Sequence, residues 1–184
     1  MQPRNNKPII WIDMEMSGLD AKRDSILEIS CIITSSDLSI VILGPTLVIR
    51  CSRFILGSMN DWCREHHTRT GLFDKCLKSG ITLDQADRLI VDFLAQHNVP
   101  FGVCCIAGNG IANDREFIKQ QMSRLNGYLS PRGIIEVNTL KEICKLLYPQ
   151  IYKARPQKKY LHTSEVDVRE SIEEYRYYIR HIFK

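Results

Sequence analysis

The sequence predicts a mixed α/β domain in which helices flank a sheet. Three strand-like segments joined by short turns open the chain, and helix-like and strand-like segments then alternate to its end. A further observation is chemical: the first strand carries two acids where an interior strand ordinarily carries none.

Ile9-Ile10-Trp11-Ile12, following Pro8, is apolar and β-branched and reads as a buried strand. Residues 26–34 make a second such strand. Ser35-Ser36-Asp37 turns the chain into a third at residues 39–43, with 47–49 continuing beyond Gly44-Pro45, so the three form an antiparallel meander. Residues 59–67 fit a short helix ended by a turn at Gly71. Thr82 and Gln85 match a capping box ahead of Leu83, Ala86, Leu89, Ile90, Phe93 and Leu94 at helical spacing. Residues 99–107 are rich in β-formers and predict a fourth strand, leading into a helix that Asn113 and Glu116 would cap. Residues 134–137 give a short fifth strand. Thr139 and Glu142 would then cap a helix with Leu140, Ile143, Leu146 and Leu147 on its apolar face, and a final helix runs over 164–182.

On a strand, Asp13 and Glu15 point to one face while Ile12, Met14 and Met16 point to the other. At about 3.3 Å per residue their carboxylates lie roughly 6 to 7 Å apart, and at an effective dielectric of about 20 they repel by about 2 to 3 kcal/mol before desolvation. A cation between them relieves that cost, and hard oxygen ligands suit Mg²⁺ or Mn²⁺. The plainer alternative places both acids in a solvated turn beyond the strand, because Ser17-Gly18 follows at once. Taken singly, Asp114 reads equally as a helix-start acid, Asp167 as the partner of Ser164 in a capping box, and His162 as a surface loop histidine.

The totals narrow the classes. With 184 residues and 44% hydrophobic content, one domain over 1–184 with a polar tail at 1–7 is expected. The net charge of +4 permits a polyanionic partner without demanding one. Seven cysteines without a C-x-x-C point to a reducing compartment, and an intracellular setting, cytoplasmic or mitochondrial, is the expectation. Cys63, His66 and His67 offer zinc-type ligands, but no second cluster completes four. No apolar run approaches the ~20 residues that span a bilayer, so no membrane is expected.

Taken together, the acids and the histidine form a pattern. Asp13-x-Glu15, Asp114 and His162-x-x-x-x-Asp167 stand at the three motifs of the DEDD exonucleases, in the branch with a catalytic histidine. Trp11-Ile12-Asp13-Met14-Glu15-Met16-Ser17-Gly18-Leu19-Asp20 closely resembles the oligoribonuclease signature. Ala107-Gly108-Asn109, Thr139-Leu140-Lys141-Glu142 and residues 167–174 extend the likeness, which spans residues 8–183, and residues 59–67 look more like the eukaryotic small-fragment nucleases. The resemblance implies an RNase H-like fold, a homodimer, and 3′-to-5′ hydrolysis of very short single-stranded RNA, dinucleotides above all. It assigns Asp13, Glu15, Asp114 and Asp167 to two divalent ions and His162 to the general base, for which an unperturbed pKa near 6.5 suits it.

By the same resemblance, Leu19 wedges against a base, Trp62 and His67 line the pocket, and Met16, Ser17 and Asn109 belong to the substrate site. Each of the first three has an ordinary alternative: Leu19 and Trp62 packed in the core or a dimer interface, His67 on a helix surface. The chain also departs from the family. It carries Arg132-Gly133 where a Tyr-Arg pair is usual, Glu136-Val137-Asn138-Thr139 for Asp-Val-Ser-Thr, and Gly108-Asn109-Gly110 for Gly-Asn-Ser. Arg132 would partly replace the missing phosphate-side cation; the basic run from Lys153 to Lys159 would either assist it or be a solvated charge run. Two competing functions remain at this level, a less selective exonuclease acting on longer RNA or DNA, and a nucleic-acid-binding module without chemistry.

Overall fold

The sheet is five-stranded, in the order β3-β2-β1-β4-β5. In this computed structural model, which describes residues 7–157 and 163–183, β1 (Ile9–Met16), β2 (Ile26–Thr34) and β3 (Val41–Val48) form the antiparallel meander. Short parallel strands β4 (Ile106–Gly108) and β5 (Ile134–Glu136) extend it beyond β1. His162, together with Lys158 and Lys159 of the basic run, lies outside the described residues.

The strand alternation of β1 sorts its side chains into two cores. Ile10, Ile12 and Met14 pack with Ala86, Ile90 and Leu94 of α4 (Leu83–Gln96) and with Phe117 and Ile118 of α5 (Ile111–Gln121). Ile9 and Trp11 face the other way, onto Val137 and Cys144 of α7 (Val137–Leu147) and Val168, Ile172 and Tyr178 of α9 (Ser164–Ile182). Trp11 is fully buried, and its indole N–H is satisfied by Thr34 Oγ1 at 2.8 Å. A third cluster, around Leu27, Cys51, Leu56, Cys63, Leu72 and Cys76, seats α1 (Arg53–Gly57), α2 (Asp61–Arg69) and α3 (Leu72–Lys78) near the sheet.

Several local expectations are corrected. The predicted fourth strand contracts to Ile106–Gly108, because Gly102 adopts a φ of +71° and the preceding backbone bonds the end of α6 (Ser123–Tyr128) instead: Gly102 N–H donates to the Tyr128 carbonyl, and Ser130 N–H to that of Cys104. Helix α5 starts at Ile111 after a left-handed Gly110, with no Asn113 cap. Helix α7 starts at Val137, capped by Glu136 rather than Thr139. The third strand continues through Gly44-Pro45, where its register with β2 shifts, and the proline is tolerated because β3 is an edge strand. Helices α1, α3, α6 and α8 (Pro149–Lys153) were not anticipated. The Thr82–Gln85 capping box is present as read.

The start of α9 also differs from its expected capping box, and the difference positions the site. Its N-cap is Thr163, which makes no side-chain cap bond. Ser164 instead points at β2, where Glu28 Oε2 accepts from Ser164 N–H at 3.1 Å and from its hydroxyl at 2.6 Å. Ser164 Oγ also lies 2.8 Å from Ser30 Oγ, itself 2.7 Å from Thr46 Oγ1, so three strand residues hold one helix end. Both Glu28 and Ser164 are buried, so loss of the carboxylate leaves the Ser164 N–H without a partner and its hydroxyl with Ser30 alone. Glu28→Ala is therefore expected to destabilise the protein by about 1 to 3 kcal/mol in urea unfolding, with Glu28→Gln, which keeps an acceptor oxygen, costing less.

Candidate active site

Asp13 and Glu15 both lie within β1, opposite Ser30 and Glu28 of β2, which removes the solvated-turn alternative. They continue the face on which Ile9 and Trp11 sit, so they lie beneath the start of α9. Asp167 stands in the first turn of that helix, its N–H bonded to the Thr163 carbonyl. One carboxylate oxygen each from Asp13, Glu15 and Asp167 lies within 4.8 Å of the others, closer than strand geometry alone suggests for the first two. The crowding registers on Glu15: burial, then the charges of Asp167, Glu28 and Asp114, raise its pKa from 4.5 to about 8.

Asp114 occupies the first turn of α5 and is buried. Burial pushes its pKa up to about 7 and Glu136 adds repulsion, against the lowering effect of the backbone N–H groups of Asp114 itself and of Met14. It is outside the tight cluster of three but close enough to raise Glu15. Three half-buried carboxylates drawn together, with the buried Asp114 near them, fit the donor set of a hard divalent ion.

A pocket of ≈ 430 Å³ opens beside Glu15, lined among others by Met16, Leu19, Trp62, Cys63 and His67. Leu19 and Trp62 are exposed, at 79% and 68%, so neither packs in the core of this chain. His67 is the reverse of a surface residue: it is 2% exposed, and its Nε2–H donates to the Met16 carbonyl at 2.9 Å. Burial lowers its pKa. Trp62 stacks flat on His66, with centroids 5.0 Å apart and planes 5° apart. Ser17 is buried and holds the turn after β1, accepting from Ser25 N–H at 2.9 Å; Gly18 follows because a Cβ there would meet the Asp24 carboxylate at 2.3 Å.

Asn109 is set behind the site, its amide donating to Ser171 Oγ at 2.9 Å and Glu174 Oε2 at 3.1 Å on α9. Arg132 is exposed in the turn before β5. At two of the family departures the structure gives a local reason. Gly110 has a φ of +72°, which glycine adopts freely, and Glu136 Oε1 accepts from both Gly110 N–H at 2.8 Å and Asn138 N–H at 3.1 Å. The sequence reading missed Glu28 and the pairing of His66 with Glu15 and His67. Glu28 carried a signal, an acid set amid the apolar run of the second strand.

The sequence model of the Exonuclease family matches residues 10–175. Among solved structures, Escherichia coli exonuclease I in complex with a 5cy-dT13 oligonucleotide superposes with a TM-score of 0.72 at 15% identity, over 97% of this chain and 42% of that one. The exonuclease I of Methylocaldum szegediense gives a TM-score of 0.68 at 17% identity, over 97% and 41%. The chain thus spans about two fifths of these solved chains, and the likeness shows their RNase H-like fold. Fold and acid cluster together define an exonuclease of the DEDD type. Mitochondrial oligoribonuclease of Homo sapiens is 42% identical over 96% of this chain and 73% of its own length, probable oligoribonuclease of Drosophila melanogaster 41% over 96% and 82%, and that of Arabidopsis thaliana 40% over 97% and 79%. The chain belongs to the oligoribonuclease family.

The raised acids set a sign for pH. Glu15 holds its proton to about 8 when folded but only to about 4.5 when unfolded, so its contribution is most favourable below 4.5 and is lost as pH rises toward 8. Glu15→Gln does not titrate. In EDTA, its Tm relative to wild type should therefore climb between these two pH values and level off above the upper one, measured by differential scanning calorimetry. A difference that stays constant over that interval would contradict the assignment.

Proposed function

We propose that this oligoribonuclease-family enzyme removes 5′-mononucleotides from the 3′ end of very short single-stranded RNA, dinucleotides above all. Asp13, Glu15, Asp114 and Asp167 are its ligands for two divalent ions, Mg²⁺ or Mn²⁺, and His162 is its general base. The convergence of Asp13, Glu15 and Asp167 within 4.8 Å is the observation that carries this reading. When bound, the ions supply activation of a water and stabilisation of the charge that develops on the phosphate and the leaving oxygen.

The residues of the chain do the rest. Leu19, exposed at the pocket mouth, stacks against a base; Trp62 and His67 line the base pocket, and Met16, Ser17 and Asn109 fix the strand end and turns on which the substrate rests. His162 takes the water's proton, and Arg132 offers its guanidinium to the terminal phosphate. Exposed Ile134, Ile143, Leu146, Leu147 and Phe183 support a homodimer. No helix among the described residues is long and apolar enough to cross a membrane, and the mitochondrial relatives of human and mouse support a mitochondrial or cytoplasmic setting.

A less selective exonuclease acting on longer RNA or DNA is favoured by one observation: Gly110, Gly133 and Asn138 supply no hydroxyl or guanidinium where the family usually grips the substrate phosphate. Hydrolysis of 5′-phosphorylated RNAs of graded length, and of their deoxy counterparts, with Mn²⁺ or EDTA separates the two. Turnover should fall steeply beyond the dinucleotide; a flat length profile rejects the short-substrate assignment. His162→Ala should lower kcat by about 10²- to 10⁴-fold with little change in KM, and a rate within a few-fold of wild type would remove its role as base.

A further inference from the structure

The ring of His67 is fixed from one side only. Because Nε2–H donates to the Met16 carbonyl at 2.9 Å, Nδ1 carries the lone pair, and that atom is buried without a hydrogen-bond partner, 3.9 Å from Glu15 Oε2. An imidazole anchored through one N–H on a backbone carbonyl, with its other nitrogen bare toward a carboxylate, has the setting of a metal-ligating histidine. His66, equally buried, brings a third atom: Glu15, His66 and His67 each offer one ligand atom within 4.8 Å of the others.

We infer that Glu15, His66 and His67 form a second cation site, suited to Zn²⁺, whose occupation inhibits the enzyme. Its ligands differ in kind from the carboxylate cluster, since imidazole suits zinc where an all-oxygen set suits Mg²⁺ or Mn²⁺. Tetrahedral zinc with bonds of about 2.0 to 2.1 Å places neighbouring ligand atoms roughly 3.3 Å apart, so small rotations close the existing gap. His66 Nδ1 now faces the Arg69 guanidinium at 3.3 Å; Arg69 is exposed and can turn to water. Glu15 and His67 also line the pocket that Leu19 and Trp62 border, from which a fourth ligand would come. Glu15 belongs to both sets, so zinc draws it out of the carboxylate cluster and stands where a base would enter.

The inhibitory consequence rests on the proposed nuclease function; zinc binding does not. Zn²⁺ affinity is measured on the whole chain by competition with a chromophoric chelator in excess Mg²⁺, with Co²⁺ absorption as a report of tetrahedral geometry. His66→Phe keeps a ring against Trp62 but no ligand, and His66→Gln is a second variant should the first fold poorly. Either should weaken zinc by more than the about 10- to 100-fold lost with an outer-sphere partner, whereas Asp167→Asn should leave it nearly unchanged. Zn²⁺ should suppress Mg²⁺-supported hydrolysis of RNA in the wild type and much less in His66→Phe, whose zinc-free rate stays within a few-fold. Zinc binding lost in Asp167→Asn but retained in the His66 variants would overturn the inference, as would no binding at all. Histidine-dependent binding in a protein inactive on RNA would support the site while sinking the nuclease reading.

Discussion

The arrangement depends on one interaction, the grip of Glu28 on Ser164. It joins the middle of the sheet to the start of the last helix across 136 positions of sequence, and it is made by a buried carboxylate on both the N–H and the hydroxyl of one residue. With that end pinned, Asp167 is carried one turn into α9 and so over the face of β1 that bears Asp13 and Glu15. The pin has an electrostatic cost, because Glu28 stands directly opposite Glu15 in the ladder, where like groups disfavour each other. The N-terminus of α9 offsets part of it. Its Ser164 N–H and the positive end of its dipole meet Glu28, and Asp167 stands in its first turn, positions where carboxylates are stabilised.

That partial compensation explains why the site is strained in charge but ordered in shape. Burial and neighbouring acids raise Glu15 far above the ordinary carboxylate range, and burial raises Asp114 as well. Acids held this close against their own repulsion suit a divalent ion, whose ligands bind deprotonated. The residues proposed to meet a substrate are distributed differently. Leu19 and Trp62 stand in solvent on the turn after β1 and on α2, while His67, from the same helix as Trp62, is buried and ties α2 back to β1 through Met16. The carboxylate cluster is thus set in the junction of sheet and helix, and the proposed recognition residues on a rim fastened to it.

Much of this was legible in the sequence because it is local. The period-two alternation of residues 9–16 separated Ile12 and Met14 from Asp13 and Glu15, and the structure separates them the same way, into a core and a carboxylate face. The helical period of α4 and its capping box were equally plain. What was not legible came from contacts distant in the chain. The Ser164 to Asp167 spacing looked like a self-contained cap, and only the approach of β2 turns Ser164 away from its own helix. Residues 99–105 have strand composition, but their backbone bonds are taken by the end of α6, which composition does not record. His67 had the helical placement and polarity of a surface residue; its burial follows from α2 lying against the end of β1.

The departures from the family fall on one side of the site, and the bonds around them separate shape from grip. Gly110 and Asn138 are joined through Glu136, whose single carboxylate oxygen accepts both of their backbone N–H groups. That bridge ties the turn before α5, which carries Asn109 and leads to Asp114, to the start of α7. Replacing the usual hydroxyl residues by glycine and asparagine therefore removes donors from the substrate side without loosening the turns that position the acids. The left-handed conformation at Gly110 makes the same point, since a residue with a side chain would hold it only under strain. Placement of the carboxylates is thus secured by Glu28 and Glu136, apart from the proposed hold of Arg132 on the phosphate end.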